Sequence, residues 1–215
     1  MTQPNDRDGL GPGEFYPVIG VGPHPKPWPT DAHFDQELLE LGDRRNVVDK
    51  YRYWTVEAIV ADLDTSRSKL HIAIENWQHD LNIGSIVRTA NAFNVSGVHI
   101  VGKRDWNKRG AMVTDRYLTV HHHPTVEDFA VWCKENELPI IGIDNVPDSK
   151  QLESAQLPEK CVLLFGQEGA GMSDEGIAVC EVLYEINQYG STRSMNASAA
   201  GAIAMYHWAL QHLPR

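Results

Sequence analysis

The polar residues with the most chemical potential fall in three short segments, each directly after an apolar run of strand length. The first reads E-N-W-Q-H-D-L-N-I-G-S-I-V-R-T-A over residues 75–90. Asn82 opens a helical pattern, and at about 100° per residue Ile83, Ile86, Val87, Ala90 and Phe93 share one face. Arg88 points nearly opposite, beside Ser85 and Asn91. Free backbone N–H groups at a helix start bind anions, and a guanidinium one and a half turns in can reach the same group. The pair also fits an ordinary N-cap asparagine and a surface arginine. The second segment, G-Q-E-G-A-G-M-S over 166–173, places three glycines in six residues. Gly171 and its neighbours give a loop of free φ that a ligand can approach closely, or a flexible turn. It has neither the G-x-G-x-x-G order nor the Lys-Ser/Thr of a phosphate loop. Glu168 inside it would repel a phosphate and suits a cationic or hydroxyl-bearing ligand. The third segment, N-Q-Y-G-S-T-R-S-M-N-A-S-A-A-G over 187–201, offers Ser194 as a helix cap and Asn196 as a first-turn amide in need of partners. Small residues at 197–202 suit close packing against another element or another subunit. His121-His122-His123 does not read as a metal site, because adjacent strand residues face opposite ways. The sequence holds no G-x-S-x-G and no H-E-x-x-H.

These segments need a scaffold, and the pattern from Leu70 onward supplies one. Strand-length runs at 70–74, 97–101, 119–122, 139–143, 161–165 and 182–186 alternate with helical spacing at 82–93, 125–137, 173–180 and 194–212. Alternation of this kind predicts an α/β fold, a mostly parallel sheet with helices on both faces. Ligands in such sheets sit beyond the carboxyl ends of strands, where all three segments fall. Upstream, residues 1–30 hold seven of the twelve prolines and five glycines. This predicts an extended arm, which Phe15, Tyr16 and Trp28 favour wrapping on the domain. Thr30 is expected to cap a helix through Leu41, and Thr55 another through about Leu63. The expected organisation is an N-terminal extension over 1–66 and a catalytic-type domain over 67–215.

The chain has 215 residues, 42% of them hydrophobic and 22% charged, which excludes wholesale disorder. No apolar run nears the ~20 residues of a membrane span, and the first residues lack a signal-peptide pattern. Three well-separated cysteines make neither a disulfide framework nor a metal knuckle, so a soluble cytoplasmic protein without a metal is expected. A net charge of −10 argues against nonspecific coating of nucleic acid. The stretch 103–116 reverses the sign, with Lys103, Arg104, Lys108, Arg109 and Arg116 against Asp105 and Asp115. It reads as a local basic patch or as a solvated loop.

Taken in order, N-x-G-x-x-x-R-T-A-x-A-F, L-L-F-G-x-E-G-x-G-M-S and I-x-x-x-G-S-T-R-S-M-N-A-S-x-A resemble the SpoU/TrmH branch of the SPOUT methyltransferases over about residues 70–212. The resemblance implies S-adenosylmethionine as cofactor and methylation of a ribose 2′-hydroxyl in tRNA or rRNA. It also implies a C-terminal trefoil knot, against the general rule on threaded chains, and a homodimer with active sites at the interface. Asn82 and Arg88 match the first motif's Asn and catalytic Arg, Glu168 the second motif's acid, and Ser194 and Asn196 the third motif's Ser and Asn. The implied cofactor cradle is loop backbone around Ile143, Gly166, Ile186 and Ser194–Met195. Three positions depart from the family pattern. Asn187 stands for a proline, Asn94 for a glycine, and Met195 for a leucine. The loss of proline's fixed φ at 187 is expected to loosen the loop. Lys103, Arg104, Lys108 and Arg109 are then the expected RNA-binding residues, with Trp106 able to stack on a base. Two other readings stay open. One is a non-catalytic RNA-binding member of the fold, which the intact motif residues disfavour. The other is a nucleotide-binding α/β oxidoreductase, disfavoured by the missing G-x-G-x-x-G.

Overall fold

The computed structural model describes residues 20–77 and 82–214. The expected arm therefore lies outside the described residues for 1–19, as do Gln78–Leu81 of the first motif segment. Contacts divide the chain into two compact units, Met1–Ile59 and Val60–Arg215.

In the first unit, the backbone around Val21 pairs with Asp43 in both directions (2.8 and 2.9 Å), and His24 N donates to Leu39 O at 2.8 Å. Prolines leave residues 21–29 few donors, and these are spent on the chain around α1 (Gln36–Leu41). The α1 cap is Asp35, whose carboxylate accepts from Glu37 N and Leu38 N, rather than the expected Thr30. Asp43 is fully buried. It accepts from Arg45 Nε (2.9 Å), Arg45 Nη2 (2.7 Å) and Tyr53 N (3.0 Å). Burial alone would raise this carboxyl, but the Arg45 side chain and these N–H groups hold it down at about 2. Thr55 starts α2 (Val56–Asp64), its hydroxyl accepting from Ala58 N at 3.1 Å.

The second unit carries the sheet. In chain order its elements are β1 (Leu70–Asn76), α3 (Asn82–Ala92), β2 (Gly97–Gly102), β3 (Val120–His123), α4 (Val126–Glu135), β4 (Ile140–Ile143), β5 (Lys150–Gln151), β6 (Cys161–Phe165), α5 (Asp174–Ala178), β7 (Val182–Glu185) and α6 (Ala197–His212). Among the described residues the strands form one sheet in the order β3-β2-β1-β6-β4-β7-β5, with every pairing parallel. The two-residue β5 escapes sequence reading because it is too short to show a period. Central strands are buried on both faces, which is why they read as continuous apolar runs. One apolar layer gathers Ile72, Ile83, Ile86, Ile141, Leu163 and Trp208 under α3 and α6. The other gathers Ala73, Val101, Phe129, Cys133, Leu138 and Leu164 under α4.

The small residues of α6 have an intramolecular use. A Cβ on Gly201 would sit 3.4 Å from Ile86 Cγ1, so the helix lies close against α3 of the same chain. Asn94, the residue standing for glycine, takes a φ of 47°, which asparagine tolerates better than most residues. Its side chain accepts from Arg67 Nη1 at 2.9 Å and donates to Ser66 O at 3.0 Å.

Candidate active site

Parallel strands end together, so the loops after β1, β6, β4 and β7 emerge at one edge. There the three motif segments meet through side-chain amides. Asn82 Nδ2 donates to one oxygen of Glu168. Asn196 Nδ2 donates to Asn82 Oδ1 at 2.8 Å and lies 3.5 Å from the other Glu168 oxygen. The Asn196 side-chain Oδ1 accepts from Ser198 N at 2.9 Å and Ala199 N at 3.3 Å, and so caps α6. This corrects the expected cap at Ser194: the helix begins at Ala197, and Ser194 lies exposed two residues before the cap. A capping asparagine has its amide fixed by the helix start, which aims its NH2 at the other two motifs. Ser173 likewise caps α5 with its hydroxyl on Gly176 N at 3.0 Å, while its own N–H and hydroxyl donate to the buried Glu75 at the end of β1.

A cavity of about 390 Å3 opens beside this amide network. Ile143, Gly166, Gly171, Ile186, Ser194 and Met195 all line it. Gly166 closes a tight turn. Gln167 N donates to Gly171 O at 3.2 Å and Gly171 N to Gln167 O at 3.0 Å, and a Cβ on Gly166 would meet Gly171 C at 2.2 Å. Gly171 takes a φ of 73°, and a Cβ there would meet Asp144 Oδ2 at 2.8 Å. Its glycine is thus required by the loop itself as well as by any ligand.

Asp144, one residue past β4, was missed in the sequence. The rule of looking beyond strand ends would have found it. Its carboxylate accepts from Met172 N at 2.7 Å and Asn145 N at 2.8 Å and lines the cavity. Asn145 and Gln188 donate to Arg193 O, pinning the segment before α6. Asn187, expected to loosen that segment, donates its backbone N–H to Glu153 Oε1 at 3.2 Å, a bond proline cannot make.

Arg88 stands apart. It is exposed on α3, does not line the cavity, and makes no hydrogen bond or ion pair with the described residues. Lys103, Arg104, Lys108 and Arg109 are exposed beyond β2, with Lys108 Nζ 3.0 Å from Asp115 Oδ2. Burial pushes the thiols of Cys133, Cys161 and Cys180 up to about 12, so none is a ready nucleophile. Among the described residues no group of three or more His, Cys, Asp or Glu could hold a metal ion. No described helix is long and apolar enough to cross a membrane.

The cavity's donor set is selective. Among its described lining residues are two carboxylates, Asp144 and Glu168, with Ile143, Phe165, Ile186 and Met195 as apolar wall, and no Lys, Arg or His. Such a site repels phosphate and favours a cationic ligand with an apolar part. An open parallel sheet with a glycine turn and this cavity at its carboxyl edge defines a ligand-binding α/β protein. The chain belongs to the SpoU rRNA Methylase family, whose model matches residues 69–206.

Similarity to individual proteins is lower. The chain is 25% identical over 147 residues to the tRNA (guanosine(18)-2′-O)-methyltransferase of Borreliella burgdorferi, covering 67% of each. It is 28% identical over 143 residues to the Escherichia coli enzyme of that name, covering 64% of this chain and 61% of the relative. Among solved structures, the SpoU methyltransferase AviRb from Streptomyces viridochromogenes, in complex with the cofactor AdoMet, superposes with a TM-score of 0.61 at 23% identity. That match covers 67% of this chain and 58% of the other. The chain thus spans about three fifths of the Escherichia coli relative and of AviRb.

Proposed function

We propose that this protein is an S-adenosylmethionine-dependent RNA methyltransferase acting on a ribose 2′-hydroxyl of tRNA or rRNA. The observation that carries it is the amide–carboxylate network Asn82–Glu168–Asn196 beside a cavity free of cationic lining among its described residues. The family match, and the relatives that methylate tRNA, support the same reading. When bound, the cofactor supplies a methyl group on a positively charged sulfur. Gly166 and Gly171 keep the loop backbone open to a nucleoside, Ile143, Ile186 and Met195 enclose its apolar part, and Asp144 and Glu168 balance its charge. Asn82 and Asn196 fix Glu168, and with Ser194 they position the ribose for in-line displacement. Arg88, free of an ion pair with the described residues, is assigned to the target's phosphate and to charge developing on the attacking oxygen. A 2′-hydroxyl target selects RNA over DNA.

The methyltransferase portion is assigned to 67–215 and the extension to 1–66. Segment 187–196 runs from the end of β7 past Asn145 to the Asn82–Glu168 pair, and this path supports the trefoil knot. Ile203, Tyr206 and Leu210, exposed along one side of α6, support a homodimer whose partner completes the site. The free cysteines suit a reducing cytoplasm. Lys103, Arg104, Lys108 and Arg109 are assigned to RNA phosphates. The test measures transfer of labelled methyl to total RNA and maps 2′-O-methyl nucleotides with and without the protein. Methyl on a base, or no S-adenosylhomocysteine binding, refutes the assignment.

A further inference from the structure

The basic segment beyond β2 is held as a built surface. Asn76, fully buried at the end of β1, donates Nδ2 to Lys103 O at 2.7 Å and to Asp105 O at 2.9 Å. The following turn is pressed on the start of α3. A Cβ on Gly84 would meet Gly110 N and Ala111 N, each at 2.8 Å, and one on Gly110 would meet Ser85 N at 2.9 Å. Asn107 caps the turn by accepting from Arg109 N at 2.9 Å. The segment is therefore tied to β1 and to α3, the helix that carries Asn82 and Arg88.

Between this segment and the sheet edge lies a second cavity of about 300 Å3. Arg104, Asp105, Trp106 and Lys108 line it together with Ile100 of β2 and Val120, His121 and His122 of β3. Lys108 Nζ sits 5.4 Å from the Trp106 ring centroid. Arg104 has no ion pair among the described residues. An aromatic wall, two cations and a carboxylate acceptor in a cavity at the small end of ligand pockets match a planar heterocycle attached to a phosphate. Trp106 is partly buried against the apolar layer under α3 and α6 and also lines the cavity, where a bare phosphate would make no use of the aromatic surface.

We propose that this cavity receives an unpaired base of the RNA substrate, stacked on Trp106, with its phosphates on Arg104 and Lys108. The proposal rests on the RNA methyltransferase reading and adds a base subsite to it. The occupant is a flanking nucleotide rather than the methylated one. The cavity lies at β2 and β3, whereas the cofactor cavity lies at the ends of β6, β4 and β7, two to five strand spacings or roughly 10–24 Å away.

The test compares a 12-nucleotide oligouridylate with an abasic ribose-phosphate oligomer of the same length and charge. The wild type should bind the oligouridylate about tenfold more tightly, the scale of one stacked base. Trp106→Ala should abolish that ratio and Trp106→Phe should keep most of it. Arg104→Ala and Lys108→Ala should weaken both oligomers alike and flatten the salt dependence. The thermal shift given by S-adenosylhomocysteine should stay unchanged throughout. A photo-crosslink from a 4-thiouridine oligomer should map to residues 100–122, which keeps the test decisive should Trp106→Ala fail to fold. Equal wild-type affinity for the two oligomers, an intact ratio in folded Trp106→Ala, or crosslinks only elsewhere would overturn the proposal. Base discrimination without any S-adenosylhomocysteine binding would overturn the methyltransferase reading instead and leave this subsite standing.

Discussion

Lowering the pH from 7 to 5 should destabilise this protein by about 4 kcal/mol through two histidines. On the α4 side of the sheet, His71 of β1, His99 of β2 and His123 of β3 form a chain. His71 Nδ1 lies 3.1 Å from His99 Nε2, and His99 Nδ1 lies 2.9 Å from His123 Nε2. His121 stacks on His99 with centroids 4.7 Å apart, and Trp132 and Phe129 of α4 cover the group. A neutral imidazole has one N–H and one lone pair, so both bonds run in a single direction. A proton added to His99, whose two ring nitrogens are both engaged, sets two donors against each other in an apolar layer. Burial, then His121 and Lys160, pushes His71 down to about 4. Burial, then His121, His71 and His123, pushes His99 down to about 2. His121 and His123 are lowered by burial too, with Asp128 opposing at His123. Since the folded values lie below the unfolded 6.5, the unfolded chain takes up protons that the folded one refuses. Stability is then fully present above pH 6.5 and falls below it, until about 4 for His71 and about 2 for His99. The slope is about 1.4 kcal/mol per pH unit for each, or about 2 kcal/mol per histidine by pH 5. Urea denaturation at half-unit steps from pH 7 to 5 measures it. His99→Gln keeps a donor and an acceptor but cannot titrate, so its loss over that range should be about 2 kcal/mol smaller than the wild type's. A wild-type curve flat from pH 7 to 5, or an unchanged slope in His99→Gln, would refute the reasoning.

Arg88→Ala should lower methyl transfer at least about 100-fold, the scale of lost transition-state electrostatics. Its unfolding free energy should stay within about 0.5 kcal/mol, because the side chain is exposed; turnover near wild type would remove Arg88 from the mechanism. Asp144→Asn should weaken S-adenosylmethionine several-fold more than neutral S-adenosylhomocysteine in titration calorimetry, since only the former carries the sulfur charge; equal losses would mean that the carboxylate acts through loop geometry alone. Asp43→Asn should cost about 3 kcal/mol by replacing a fully buried carboxylate with a neutral amide beside the half-buried Arg45, read from denaturant unfolding.

The amino-acid sequence by itself determined the parallel α/β scaffold, because strands buried on both faces must read as apolar runs and amphipathic helices must repeat every 3.6 residues. It also placed the candidate site, since parallel strands deliver their following loops to one edge. The exposed side of α3 that holds Arg88 follows from the spacing of Ile83, Ile86, Val87 and Ala90 alone. Only the tertiary structure decided what depends on distance between remote segments. Asn196 rather than Ser194 caps α6, because both caps obey the same local chemistry and the partners in β1 and β6 loops choose between them. Asp144 can be singled out by its place just past β4, but only the fold of the loop around Gly171 brings its carboxylate to Met172 N and into the cavity. The triplet at 121–123 shows the limit most sharply. Alternation along β3 correctly sends His122 to the other face, yet it cannot reveal that parallel register sets His121 beside His99 and brings His71 and His123 to the same imidazole. Register is set by the packing of whole strands, so a residue's neighbour across the sheet is not written in its own segment.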